Sequence, residues 1–353
     1  MAKTYRTGII GCGGMGRAHS SAYTQNPATE LVAAMDVNVE SAKRLADEFS
    51  VPAVYTDYNQ MLEKEALDIV SITTWQGVRA EITVAAAQAG VKGIIGEKPM
   101  AASLGEADTM IAICEEHDAK LVIGHNGRFN PANTEIRRLV QDGAIGQPTL
   151  LHRRSKPNAG LLNIGTHAID GMRYHLSDPE TLWVIGQVSR STNRWERRTL
   201  CEDLCMGLIC FEGGARGIYE SDLPEPIVSA AIVAGTDGQI KMGEDGTVLL
   251  QSNQASGWQE IQPRPEPTDQ YQELIDWMEG KIDSHRSTGR QARYTMEIMM
   301  AIYESLRIKN VVTMPLETSE SPLELLIEEG VFPELTEDRY DIRRPFPEQE
   351  KRA

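Results

Sequence analysis

The chain has 353 residues, 41% of them hydrophobic and 24% charged, with a formal net charge of −16. That length exceeds one comfortable hydrophobic core, so two domains are expected. The acidic balance works against nucleic acid and anionic membranes as partners, since both recruit cationic faces. No stretch approaches the roughly 20 continuous apolar residues of a membrane span. The N-terminal MAKTYRTGII lacks the apolar core of a signal peptide and runs straight into a first strand. Five scattered cysteines (Cys12, Cys114, Cys201, Cys205, Cys210) predict reduced thiols in a cytoplasmic compartment. Cys201-x-x-x-Cys205 has no second ligand pair, so no metal site is expected.

The first 125 residues alternate apolar runs (7–10, 31–35, 68–73, 91–96, 120–124) with segments of helical spacing such as 40–49 and 79–89. Alternation of this kind predicts a doubly wound parallel sheet with right-handed crossovers. The first run leads into Gly11-Cys12-Gly13-Gly14-Met15-Gly16, and Asp36 closes the second run twenty residues past Gly16. This is the fingerprint of a dinucleotide-binding turn. Gly11 makes the tight turn, Gly13 lets backbone approach a pyrophosphate, and Gly16 lets helix and strand pack closely. The helix N-terminus then offers N–H groups and a partial positive charge to phosphates. Asp36 can accept hydrogen bonds from the adenosine ribose and would repel a 2′-phosphate; no cation follows until Lys43. The expected cofactor is NAD rather than NADP. A glycine-rich turn without a ligand is the plainer alternative.

The fifth run of this part passes into Glu97-Lys98-Pro99. A Lys at the C-terminal end of a parallel strand sits where open α/β sheets bind ligands. Near a nicotinamide, its ammonium could stabilise a developing alkoxide; a surface loop is the alternative. Past residue 125 the rhythm changes. Segments 148–154, 181–190, 204–211, 215–221, 228–234 and 247–251 read as strands joined by turns at Gly213-Gly214, Asp237-Gly238 and Asp245-Gly246, which suits a largely antiparallel sheet. Helices are predicted over 133–142, 167–175, 270–280 and 291–307.

On a helix beginning near Thr166, His167 and Asp170 share a face, and His is the usual proton carrier near neutral pH. A packing histidine is the alternative. Arg153, Arg154 and Lys156 form a basic cluster. On a strand the two arginines point to opposite faces, so only one can face a pocket. A carboxylated or phosphorylated substrate would suit that cation, and a solvated or interface pair is the other reading. Three parts are expected: a dinucleotide-binding domain over 1–125, a substrate and oligomerisation domain over 126–315, and an acidic arm over 316–353 packed on the body or on a neighbouring subunit.

The stretches GIIGCGGMGRAH (8–19), AMDVNVESAKRLADEF (34–49), EKPM (97–100), GHNGRFNP (124–131) and NIGTHAIDGMRY (163–174) together resemble the Gfo/Idh/MocA family of oxidoreductases. GRQARYTMEIMMAIYESLRIKN (289–310) and SPLELLIEEGVFP (321–333) resemble that family's last helix and tail. The resemblance implies a Rossmann domain, then an α/β domain with a large open, mostly antiparallel sheet, and homodimers or homotetramers built through that sheet. It also implies NAD(P)-dependent oxidation or reduction at a sugar or polyol carbon. Lys98 matches the family's catalytic lysine and His167 its acid/base histidine, with Pro99 following in a bond often cis in relatives. Asn126 and Arg128 match a loop at the floor of the active site, and Asp170 a carboxylate that helps hold the histidine. The implied substrate contacts are Asn126, Arg128, Arg153, Asn163, Thr166 and Asp170. The implied cofactor contacts are Gly11 to Gly16, Asp36, Thr74, Trp75, Gln76, Glu97 and Lys98.

Two departures stand out. Asn163 replaces the common Asp four residues before the His; an amide can hold a hydroxyl but takes no proton. Thr74-Trp75-Gln76 replaces the common Thr-Pro-Asn, and the Trp can stack on a ligand or fill core. The reading is an NAD-dependent dehydrogenase of a cyclic sugar, sugar derivative or inositol-like polyol. The alternatives are a glycosidase that oxidises its substrate transiently with bound NAD, and a non-catalytic NAD-responsive binding protein.

Overall fold

The computed structural model describes residues 3–155, 160–222, 231–243, 245–254, 256–332 and the backbone of 338–340. The chain begins with Tyr5–Ile10 (β1), Gly14–Gln25 (α1), Thr29–Met35 (β2), Val39–Phe49 (α2), Ala53–Tyr55 (β3) and Tyr58–Glu65 (α3). Ile69–Ile72 (β4), Arg79–Gln88 (α4), Gly93–Gly96 (β5), Leu104–Glu116 (α5) and Lys120–Ile123 (β6) follow. Among the described residues these strands form one six-stranded parallel sheet in the order β3-β2-β1-β4-β5-β6. The order reverses between β1 and β4, the switch point at which such sheets bind ligands beyond their strand ends. β4 and β5 are buried at every residue, as strands covered on both faces must be. Side-chain caps start α2 (Asn38), α3 (Asp57) and α5 (Ser103). Helix α1 has none.

Past residue 125 come Pro131–Gln141 (α6), Pro148–Arg154 (β7), Thr166–His175 (α7), Thr181–Ser189 (β8), Asn193–Glu196 (β9), Thr199–Leu200 (β10) and Leu204–Phe211 (β11). Arg216–Glu220 (β12), Ala231–Gly235 (β13), Gly238–Met242 (β14), Val248–Ser252 (β15) and Gln259–Ile261 (β16) continue the sheet. The chain ends through Gln270–Met278 (α8), Gly289–Ile308 (α9), Val312–Thr313 (β17), Pro322–Glu328 (α10) and Asp338–Tyr340 (β18). Among the described residues the second sheet has nine strands in the order β16-β15-β14-β13-β7-β12-β11-β8-β17. Its β7–β12 pair is parallel and its other neighbours antiparallel. Exposure alternates along β8 and β11; one face of the sheet is covered and the other open. β10, β9 and β18 make a small third sheet.

Contacts divide the chain into two compact units, Met1–His125 with Thr268–Arg293, and Asn126–Pro267 with Tyr294–Ala353. Chain order alone assigns 268–293 to the second part. In the structure, Leu274 and Ile275 complete a core of the first unit with Ile9, Ile69, Ile95 and Val122. Elements that the sequence pattern did not announce are short, peripheral or polar: β3 is three residues with Val54 exposed, and β14 carries Gln239 and Lys241 between its apolar residues. Of the predicted strand 228–234, residues 228–230 lie outside the described residues, as does most of the arm beyond 332. Among the described residues no helix is long and apolar enough to cross a membrane, and no cluster of three His, Cys, Asp or Glu is placed to hold a metal ion. All five cysteines are free and buried.

Candidate active site

In the first unit the functional groups lie along the C-terminal ends of the parallel strands. Gly11 turns at φ +99°, and a Cβ on Gly16 would lie 2.1 Å from the Gly11 carbonyl oxygen. Both positions therefore require glycine, one for its backbone and one for close approach. A Cβ on Gly13 or Gly14 would meet nothing within 4 Å. The first turn of α1 contains no acidic residue, so its N–H groups face an open cradle of the kind that receives phosphates.

Asp36 is fixed by backbone. Its Oδ2 accepts from Cys12 N at 2.8 Å and its Oδ1 from Asn38 N at 2.8 Å. Val37 beside it is exposed, and burial with the neighbouring Asp36 charge pushes the Cys12 thiol up to about 12. The Thr73 hydroxyl donates to the Gly11 carbonyl at 2.5 Å, tying β4 to the glycine turn. Next to it the buried Thr74 Oγ1 has no hydrogen-bond partner among the described residues. An uncapped helix start, glycines that crowd nothing and an orphan hydroxyl together fit a dinucleotide. Trp75 is exposed and Gln76 buried. Buried Arg79 donates to the carbonyls of Thr74 and Pro99, bridging the loops that follow β4 and β5.

Lys98 follows β5, half-buried, and its bond to Pro99 is cis. Glu97 behind it is buried and accepts from His19 Nε2 at 3.1 Å; His19 Nδ1 meets Ser71 Oγ at 2.9 Å, which meets Tyr23 OH at 2.7 Å. Burial works to raise the Glu97 carboxyl, but His19, Arg79 and Lys98 outweigh it and hold the group below its ordinary value. Glu97 is thus an anion behind the Lys98 ammonium rather than a surface contact.

In the second unit a π-type turn, Leu161–Gly165, runs into α7. Two buried acids from the β9–β10 hairpin and its flank hold its start. Glu196 Oε1 accepts from Gly160 N at 3.0 Å, and Glu202 Oε1 from Leu161 N at 2.7 Å. Burial raises the Glu202 carboxyl, and the Tyr303 hydroxyl moderates the rise. Glu196 Oε2 also accepts from Asn163 Nδ2 at 2.9 Å. The residue that departs from the common Asp is therefore backed by a carboxylate, which turns its amide oxygen away from Glu196. His167 is half-buried and Thr166 buried. Asn126 is exposed.

Arg128 and Asp170 face each other. The Arg128 guanidinium, 1% exposed, spans Asp170 Oδ1 at 2.7 Å and Asp178 Oδ1 at 2.8 Å, and Asp170 also accepts from Thr295 Oγ1 at 3.1 Å. Burial pulls the guanidinium down, but the two carboxylates raise it above its ordinary value. The two residues, which the resemblance implied as substrate contacts, pair with each other across 42 positions, and such pairing leaves no periodic trace in a sequence. Glu196, Glu202, Asp178 and Arg79 went unnoticed for the same reason. Only His19 carried a signal, inside the GRAH segment.

A family profile described as "Oxidoreductase family, NAD-binding Rossmann fold" (GFO_IDH_MocA) matches residues 5–125. The chain is similar to the uncharacterised oxidoreductase YrbE of Bacillus subtilis, 31% identical over 234 residues, which are 63% of this chain and 68% of that one. It is similar to the D-apiose dehydrogenase of Paraburkholderia graminis, 27% identical over 268 residues, or 69% and 68% of the two chains. Among solved structures, an oxidoreductase from Agrobacterium radiobacter in complex with NAD+, L-tartaric acid and magnesium superposes with a TM-score of 0.76 at 19% identity, covering 88% of this chain and 98% of that one. At that identity the likeness concerns the fold.

Proposed function

The chain belongs to the Gfo/Idh/MocA oxidoreductase family with its NAD-binding Rossmann fold, and from that premise we propose an NAD-dependent dehydrogenase acting on a CH–OH carbon of a cyclic sugar, sugar derivative or inositol-like polyol. The observation that carries the reading is the row of strand ends in the first unit, where the glycine cradle, the backbone-anchored Asp36 and Lys98 follow β1, β2 and β5 of one sheet. Gly11 to Gly16 would hold the pyrophosphate, Asp36 the adenosine ribose, and the loop Thr74 to Gln76 the nicotinamide half. NAD, when bound, supplies the hydride acceptor. His167 takes the hydroxyl proton of the substrate, and the Lys98 ammonium stabilises the alkoxide left behind. Asn163 accepts from a substrate hydroxyl, its amide oriented by Glu196. A sugar is the substrate class favoured by the likeness to a D-apiose dehydrogenase.

The open face of the second sheet supports self-association. Ile185, Leu204 and Met206 are 42%, 39% and 47% exposed on the paired strands β8 and β11, an apolar patch that a second copy would cover. Light scattering should return a dimer or tetramer.

The test is NADH absorbance with NAD and NADP over a panel of sugars, inositols and sugar acids. Stoichiometric NADH is expected; a glycosidase cycle would return the hydride and accumulate none. Lys98→Ala and His167→Ala should each lower turnover by roughly 10² or more while NAD still binds. Near-full activity in either variant removes that residue from the mechanism.

A further inference from the structure

We propose that the second unit carries an anion subsite built on Arg153, on the His167 face of α7, so that the substrate is a sugar bearing a carboxylate or phosphate group. The proposal deepens the dehydrogenase reading and rests on it for the role of His167.

The pleat of β7 turns Arg153 and Arg154 apart. Arg154 goes to one face, where its Nε and His152 Nε2 both meet Glu220, at 3.1 and 2.8 Å. Arg153 goes to the other face with buried Leu151 and Ser155, the face covered by α7. There its guanidinium lies against Gly171: a Cβ on that residue would stand 2.9 Å from Arg153 Nη2. Glycine inside a helix is unfavourable relative to alanine, and here it makes the room that the guanidinium occupies.

His167 and Gly171 are four residues apart and share a face of α7. Both are half-buried, as is Asn163 one turn earlier, whereas Ile169, Asp170, Met172 and Arg173 are buried. The accessible stripe of this helix therefore runs from Asn163 through His167 to Gly171, with Arg153 at its far end. The rise from His167 to Gly171 is about 6 Å. A sugar whose hydroxyl meets His167 can extend a substituent to Arg153.

The charges around Arg153 leave it unbalanced. Arg128 and Arg137 hold Asp170 and Asp178, and Arg173 lies 3.9 Å from Asp178 and 3.2 Å from Thr295 Oγ1. Among the described residues no carboxylate and no other acceptor engages the Arg153 guanidinium. His175, which faces the same cluster, adds no counter-charge and donates instead to Asn133 Oδ1 at 2.9 Å. Burial pushes the guanidinium down to about 10, so it stays charged at neutral pH. A half-buried guanidinium with no carboxylate partner is the group that a carboxylate or phosphate binds bidentately.

The test uses the full chain with D-glucuronate, D-gluconate and D-glucose 6-phosphate against neutral D-glucose. Turnover is followed as NADH, and binding to the NADH-loaded protein by calorimetry. At least one anion should exceed D-glucose by roughly 10- to 100-fold in kcat/KM or affinity; the carboxylates or the phosphate in the lead tells which group the subsite takes. Arg153→Gln should bring that ratio close to one, and Arg153→Lys should keep part of it. Gly171→Ala, which retains the arginine but crowds its head group, should fall between, and NADH binding reports that each variant is folded. Equal handling of D-glucose and all three anions, no binding of any anion, or a ratio unchanged in Arg153→Gln overturns the subsite. Turnover of D-glucose alone would leave the dehydrogenase standing without it. Arg153-dependent anion binding with no NADH formed would do the reverse.

Discussion

At the strand ends of the first unit the functional groups hang on backbone: Asp36 on two N–H groups, Thr73 on the Gly11 carbonyl, Arg79 on two carbonyls. Around α7 side chains hold side chains, with Arg128 between two aspartates and Asn163 against Glu196. A backbone partner survives substitution of the residue that carries it, so these contacts do not depend on their partners' side chains; the His19–Glu97 pair behind Lys98 is the exception. A side-chain partner is lost with its residue, and the survivor is left buried and unpaired. Substitutions around α7 should therefore be costly in stability, and those along the strand ends costly in ligand binding.

The largest effect is expected at Arg128. Arg128→Ala takes the guanidinium from buried Asp170 and leaves half-buried Asp178 with Arg137, and should remove about 3–5 kcal/mol of stability in urea unfolding. Arg128→Ala combined with Asp170→Asn should cost less than the two single losses added together. A loss below about 1 kcal/mol in Arg128→Ala would break the contrast, since exposed ion pairs behave that way.

Asn163→Asp tests the second pair. It would set a carboxylate 2.9 Å from Glu196, and a cost of about 1–3 kcal/mol at pH 8 is expected, shrinking in acid as the two groups come to share a proton. Glu196→Gln in the same chain should restore stability. Failure of that rescue would separate Asn163 from Glu196.

The strand ends should behave otherwise. Asp36→Ala with Val37→Arg should shift the NAD over NADP ratio by at least about tenfold, roughly 1.4 kcal/mol, while urea unfolding moves less than that. Better use of NADP by the unmodified chain would sink the role given to Asp36.

The smallest effect is a pH slope. Burial, then the charges of Arg153 and Arg137, lowers His175 well below its ordinary value. Its folded value is depressed, so the unfolded chain binds the proton first; the stability is present above about pH 6.5 and is lost as pH falls. About 1 kcal/mol should go between pH 6.5 and 5.5, and His175→Gln should flatten the curve by that amount. An unchanged slope would mean that the ring is protonated in the folded chain.

The same contrast explains what the sequence disclosed. The turn Gly11 to Gly16, Asp36 and the parallel sheet were legible because backbone geometry demands glycine at fixed spacing and buried strands demand apolar runs. Helix α7 and the strand Pro148–Arg154 were legible by period, and the alternation that parts Arg153 from Arg154 followed from the pleat. The partners were not. Nothing local marks Glu196 as the residue behind Asn163, thirty-three positions away, or distinguishes an arginine that faces two aspartates from one that faces none.

Arg79 braces two loops with one side chain. Its buried guanidinium donates to one carbonyl in each loop, so the segment with Trp75 and the segment with Lys98 share one brace. A lysine at this position would keep the charge but loosen one end of the brace, and the two loops would then respond independently.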